Sequence, residues 1–239
     1  MPTSTGSGIP QKEIPVQLNW QKRRKDQIPA GISNRRHMPR FNPIGSHSIQ
    51  DWGRKLLHPC VRLLTSLSIQ PATITITGFI LCLIASIIAW AGHYWQAGLV
   101  FAIGSLFDAL DGGVARLSGT VSKAGAALDS SLDRVSEAAL FIALLAGKAG
   151  TDQPALLYAA PLALTGSFMV SYVRARAEGL GIACEVGFFT RVERLVAMIA
   201  ALFLADMAGS IALVLACVLV ALGAWATALQ RLLTVLKAK

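Results

Sequence analysis

From residue 71 to the C-terminus, apolar runs recur at about 20-residue spacing, the length of helix that crosses the hydrocarbon core of a bilayer. This periodicity predicts an all-α, polytopic membrane domain over residues 70–239, with six spans at roughly 72–92, 95–117, 126–148, 153–177, 190–208 and 210–235. Only 15% of residues are charged, where a soluble domain carries nearer a quarter. The connection at residues 92–96 is short, as antiparallel neighbours require. No internal repeat is visible.

The net charge is +9, and 11 of the 22 Lys and Arg lie in residues 1–70. The others fall around 116–125, 174–194 and the C-terminus, Arg134 and Lys148 excepted. By the positive-inside rule these segments are cytoplasmic, so both termini and the two charged connections share one side, and six spans satisfy that parity. Residues 1–48 read as a flexible basic tail that touches anionic headgroups. They lack the aromatic interleaving of a nucleic-acid surface, so no nucleic-acid partner is expected. The polar first 45 residues hold no apolar signal-peptide core. Residues 49–69 read as an interfacial amphipathic helix: Trp52, Leu56, Leu57, Cys60, Leu63, Leu64 and Leu67 recur at helical spacing, with Pro59 as a kink. The four cysteines are far apart and suit packing better than a disulfide or zinc framework. The histidines lie in the tail, the interfacial helix or an outer loop, none placed for catalysis.

Five acidic residues, Asp108, Asp111, Asp129, Asp133 and Glu137, fall in or at the edges of the second and third spans. A carboxylate at membrane depth costs some kcal/mol. Asp108, Asp111, Gly112 and Ala115 follow i, i+3, i+4, i+7 spacing on one helix face, and Gly125, Asp129 and Asp133 follow i, i+4, i+8 on the next. A short connection would make these helices antiparallel neighbours, so the four Asp converge near the cytoplasmic end. Unneutralised, they would repel one another and hold protons. All-oxygen ligation suits Mg²⁺ or Mn²⁺, which commonly bridge phosphate oxygens. Gly112 and Gly125, each one turn from an Asp, would admit a ligand close to the backbone. Glu137 either supports this site or pairs with Arg134 or another base.

Residues 108–133 read DALDGGVAR, eight residues, G, AAL, D, SSL, D. This resembles, position for position, the signature of the CDP-alcohol phosphotransferase family. The resemblance covers about residues 55–235 and implies a six-helix membrane domain, usually a homodimer. It implies that Asp108, Asp111 and Asp129 bind metal. Asp133 would bind a second ion or act as the general base on the acceptor hydroxyl. Asp108, Gly112, Ala115 and Arg116 would face the nucleotide, with Gly125 letting it pack close. Thr75, in the PATIT segment that opens the first span, would join them, although Ala72 stands where the family often has Asn or Asp. The implied reaction releases CMP as an acceptor oxygen attacks the β-phosphorus of a CDP-linked lipid.

The remaining arginines bear on the acceptor. Arg174 and Arg176 end the fourth span, Arg191 and Arg194 open the fifth, and Arg231 lies in the sixth. Several Arg at one depth beside a metal site suit a phosphate-bearing alcohol. Snorkelling and membrane anchoring are the plainer account, above all for Arg191. The arrangement SYVRARAE, RVERL, QRL resembles the subgroup that makes phosphatidylinositol phosphate, and its archaeal ether-lipid counterpart. That resemblance implies CDP-diacylglycerol as donor, inositol 1-phosphate as acceptor, and Arg174, Arg194 and Arg231 as ligands of the acceptor phosphate. Glycerol 3-phosphate is an alternative acceptor, and a cation transporter is a distant alternative class.

Overall fold

The computed structural model describes residues 58–238. The basic tail and residues 49–57 of the expected amphipathic helix lie outside the described residues. Residues 58–66 form helix α1. There follow α2 (Pro71–Trp90), α3 (Tyr94–Ser118), α4 (Lys123–Ala146), α5 (Lys148–Asp152), α6 (Leu156–Gly179), α7 (Arg191–Ala208) and α8 (Ile211–Lys237). All regular structure among the described residues is helical.

The helix ends follow local chemistry. Pro71 opens α2, where its missing N–H leaves no helical acceptor unpaired. Gly119 closes α3 in the left-handed region, at φ 69°. Ser122 starts α4, and its hydroxyl accepts from the Gly125 amide at 3.0 Å. Thr190 and Glu193 form a reciprocal capping box at the start of α7. The single turn α5 has no apolar period and no counterpart in the sequence reading.

Among the described residues, four helices, α2, α3, α6 and α8, are long and apolar enough to cross a bilayer. Alongside large buried residues such as Phe101, Leu156 and Leu213, their contacts use many of the smallest side chains. Ala85, Ala89, Ala97, Ala160 and Ala163 are fully buried, while Ile76, Ile80, Ile84 and Ile87 run exposed along α2. Small residues let backbones approach, and the large side chains face a medium as apolar as themselves. One such approach is between α2 and α3. A Cβ on Gly104 would sit 2.8 Å from Cys82 Sγ and 2.9 Å from the Gly78 carbonyl oxygen. Gly104→Val is therefore expected to lower stability by roughly 1–3 kcal/mol through overpacking. Thermal unfolding of the purified protein in detergent measures this, and an unchanged transition would refute the contact.

Around this core, α2 packs along both α3 and α4, α6 packs on α8, and α7 packs on α3 and α8. The sequence reading expected α3 and α4 side by side. Instead their backbones stay apart past the connection at 119–122, each close to α2. Indole N–H groups fasten two helix pairs: Trp90 donates to the Ala146 carbonyl at 3.2 Å, and Trp225 to the Leu162 carbonyl at 3.1 Å.

Candidate active site

The splay of α3 and α4 leaves a space that their acidic faces share. Asp108 and Asp111 come from the C-terminal half of α3, and Asp129 from the second turn of α4. One carboxylate oxygen from each of these three lies within 4.8 Å of the others. Asp111 is buried, and Asp108 and Asp129 are half-buried. Thr75, in the second turn of α2, donates its hydroxyl to Asp111 Oδ2. Three helices thus build the cluster, and α2 orients one of its carboxylates.

Asp133 lies one turn further along α4, beside this trio. Its partner is Arg191, the first residue of α7. Arg191 Nη2 lies 2.6 Å from Asp133 Oδ1 and 2.8 Å from Asp108 Oδ2, joining α3 and α4 through one guanidinium. Arg134 also approaches Asp133, at 3.7 Å, and donates to the Ser130 carbonyl at 2.6 Å. Arg191 was read from the sequence as an interfacial anchor. Its spacing from Arg194, three residues on one helical face, was the available sign that both point inward.

Glu137 resolves the choice left open by the sequence. Its partner is Arg194 of α7, not Arg134. Arg194 Nε donates to Glu137 Oε1 at 2.8 Å and Nη2 donates to Oε2 at 3.2 Å. Arg194 is only 2% exposed, and its Nη1 has no hydrogen-bond partner among the described residues.

The three arginines expected to share an acceptor phosphate have separate local partners. Arg174 is exposed at the end of α6 and pairs with Glu178 at 2.9 Å. Arg194 is held by Glu137. Arg231 is buried in α8, where Nε donates to the Val186 carbonyl at 2.7 Å and Nη1 to the Val170 carbonyl at 2.8 Å. Arg231 therefore ties the α6–α7 loop to two helices. A solitary sequence cannot reveal this, because the acceptors are main-chain atoms.

The expected nucleotide face is open. A Cβ on Gly112 would meet only the Arg116 side chain, at 3.3 Å, and one on Gly125 only Ser122 Oγ, at 3.1 Å. Ala115 lies on the same face of α3, and Arg116 is exposed beside it. The donor set at the Asp trio is all oxygen and supplies three carboxylates, which fits a hard divalent cation such as Mg²⁺ or Mn²⁺.

Comparison with known proteins identifies a family and a fold. Residues 68–230 match the family model described as CDP-alcohol phosphatidyltransferase. The archaetidylinositol phosphate synthase of Pyrococcus horikoshii is 38% identical over 182 residues, covering 74% of this chain and 90% of that protein. The phosphatidylinositol phosphate synthase of Corynebacterium glutamicum is 34% identical over 187 residues, covering 75% and 85%. Among solved structures, the Mycobacterium tuberculosis phosphatidylinositol phosphate synthase with CDP-DAG bound superimposes with a TM-score of 0.68 at 31% identity, covering 77% of this chain and 94% of that one. The same enzyme in complex with manganese and citrate gives a TM-score of 0.66 at 30% identity, covering 75% and 88%.

Proposed function

The chain belongs to the CDP-alcohol phosphatidyltransferase family, and from that membership we propose that it transfers the phosphatidyl group of CDP-diacylglycerol, or of an ether-lipid equivalent, to inositol 1-phosphate, releasing CMP. One observation carries the reading: the Asp108, Asp111 and Asp129 carboxylates of the family signature gather at one point between splayed helices.

In this reading Asp108, Asp111 and Asp129 hold a divalent ion, and Asp133 stands beside a second. Bound there, such ions neutralise the diphosphate and stabilise the leaving CMP. Asp133 takes the proton of the acceptor hydroxyl, whose oxygen attacks the β-phosphorus as the bond to CMP breaks. Arg191 brings positive charge to the Asp133 side. The nucleotide lies over Gly112, Ala115 and Gly125, flanked by Arg116 and Thr75. Arg174, Arg194 and Arg231 hold the acceptor phosphate: Arg174 and Arg231 exchange present partners for it, while Arg194 offers its unpartnered Nη1 and keeps Glu137 on Nε and Nη2. The exposed Arg174–Glu178 pair opens at little expense, since such pairs contribute under about 1 kcal/mol.

The reading also has six spans. The charges on α4 and α7 that lower their hydropathy are those of the site, so both helices still cross. The basic belt supports a cytoplasmic active site and cytoplasmic termini. Family resemblance supports a homodimer.

The purified protein with CDP-diacylglycerol and Mg²⁺ is expected to release CMP with inositol 1-phosphate, and not with free inositol. Release with glycerol 3-phosphate alone would keep the family chemistry and overturn the acceptor.

A further inference from the structure

Two rungs join α4 to α7. The first pairs Asp133 with Arg191, and the second, one turn deeper, pairs Glu137 with Arg194. Asp133 and Glu137 are four residues apart on one face of α4, and Arg191 and Arg194 are three apart on one face of α7. The first rung demonstrates that a guanidinium from α7 reaches the site carboxylates. Arg194 carries the same group on a side chain of the same length. It has five N–H donors, and one nitrogen has no partner. Without a deeper anion, the nearest carboxylate on that face is Asp133.

We infer that Glu137 is a positioning residue for the metal site: by a two-point pair it fixes Arg194 below the carboxylates, so that only one arginine of α7 faces Asp133. The inference rests on the reading of the Asp cluster as a divalent-metal site. The pair contributes in two ways. Its geometry spans both Glu137 oxygens, which fixes the guanidinium plane as a single contact would not. Its charge cancels that of Arg194 at a burial where screening by water is weak.

Removing Glu137 alone therefore places an uncompensated positive charge next to ligands that must attract a cation. Removing Arg194 as well restores the balance. Loss of folded protein would instead lower the number of Mn²⁺ sites, whereas an added positive charge weakens the affinity of each.

The test is Mn²⁺ binding to the purified protein in detergent, followed by electron paramagnetic resonance without any substrate. Glu137→Gln is expected to weaken Mn²⁺ binding by at least about tenfold, the effect of a unit charge on a divalent ion about 6 Å away even under the full screening of water. The double variant Glu137→Gln, Arg194→Gln is expected to return to within about twofold of wild type. Glu137→Asp keeps the charge on a shorter arm. It should fall between the two, and decides the question if Glu137→Gln does not fold. Wild-type affinity in Glu137→Gln, or a double variant weaker than the single one, would overturn the inference. Failure of the wild-type protein itself to bind Mn²⁺ would instead overturn the metal reading.

Discussion

Asp129→Asn is expected to reduce CMP release by roughly 10³-fold, about 4 kcal/mol of transition-state stabilisation. Asparagine keeps the volume and one acceptor oxygen, so α4 retains its packing. It loses the charge that, with Asp108 and Asp111, would hold a cation against a diphosphate. The same substitution removes one of several like charges crowded at a point. Like charges in a common site raise the free energy of the folded state. Without divalent metal, the variant should therefore unfold at a higher temperature than wild type while being nearly inactive. The two signs together identify a functional cluster, because a structural carboxylate would lose stability when neutralised. An active Asp129→Asn protein would remove Asp129 from the site.

Arg194→Met should give the largest loss of stability. Methionine fills much of the space but leaves Glu137 buried without its partner, and breaking a buried ion pair on one side costs about 3–5 kcal/mol. Replacing both members with apolar residues should recover most of the loss, since well-packed apolar pairs often equal buried ion pairs. Unfolding of the single and double variants in the same detergent checks this. A single variant as stable as wild type would mean that Glu137 has ready access to water or another base, contrary to its burial.

The parts of this molecule legible in its sequence are those written along one helix. Observed helix ends fall within about three residues of the expected spans, because a run of apolar residues ends where the chain must meet water. The Asp signature was legible for the same reason: i, i+3, i+4 spacing fixes a face before any neighbour is known. What the sequence withheld is which face meets which. It offered no means to choose Arg194 over Arg134 as the partner of Glu137. Nor could it show that α2 would lie along both α3 and α4, or that Arg231 would bind main-chain carbonyls. The spacing of Arg191 and Arg194 held a usable hint, but a basic residue at a helix start is so often an anchor that the hint was read the other way.

The placing of alanine and glycine at helix contacts, with large aliphatic residues along the exposed stripe of α2, has a consequence for how this chain can vary. Along the Ile76–Ile87 stripe, one bulky apolar residue can replace another, since lipid adapts to any outline. At Gly104 there is no such freedom, because the facing surface is another backbone, nor at Ala85 or Ala160, which are wholly enclosed. Inherited variation should therefore be plentiful where the hydrophobic mass is greatest and scarce where side chains are nearly absent, the reverse of the pattern in a water-soluble enzyme.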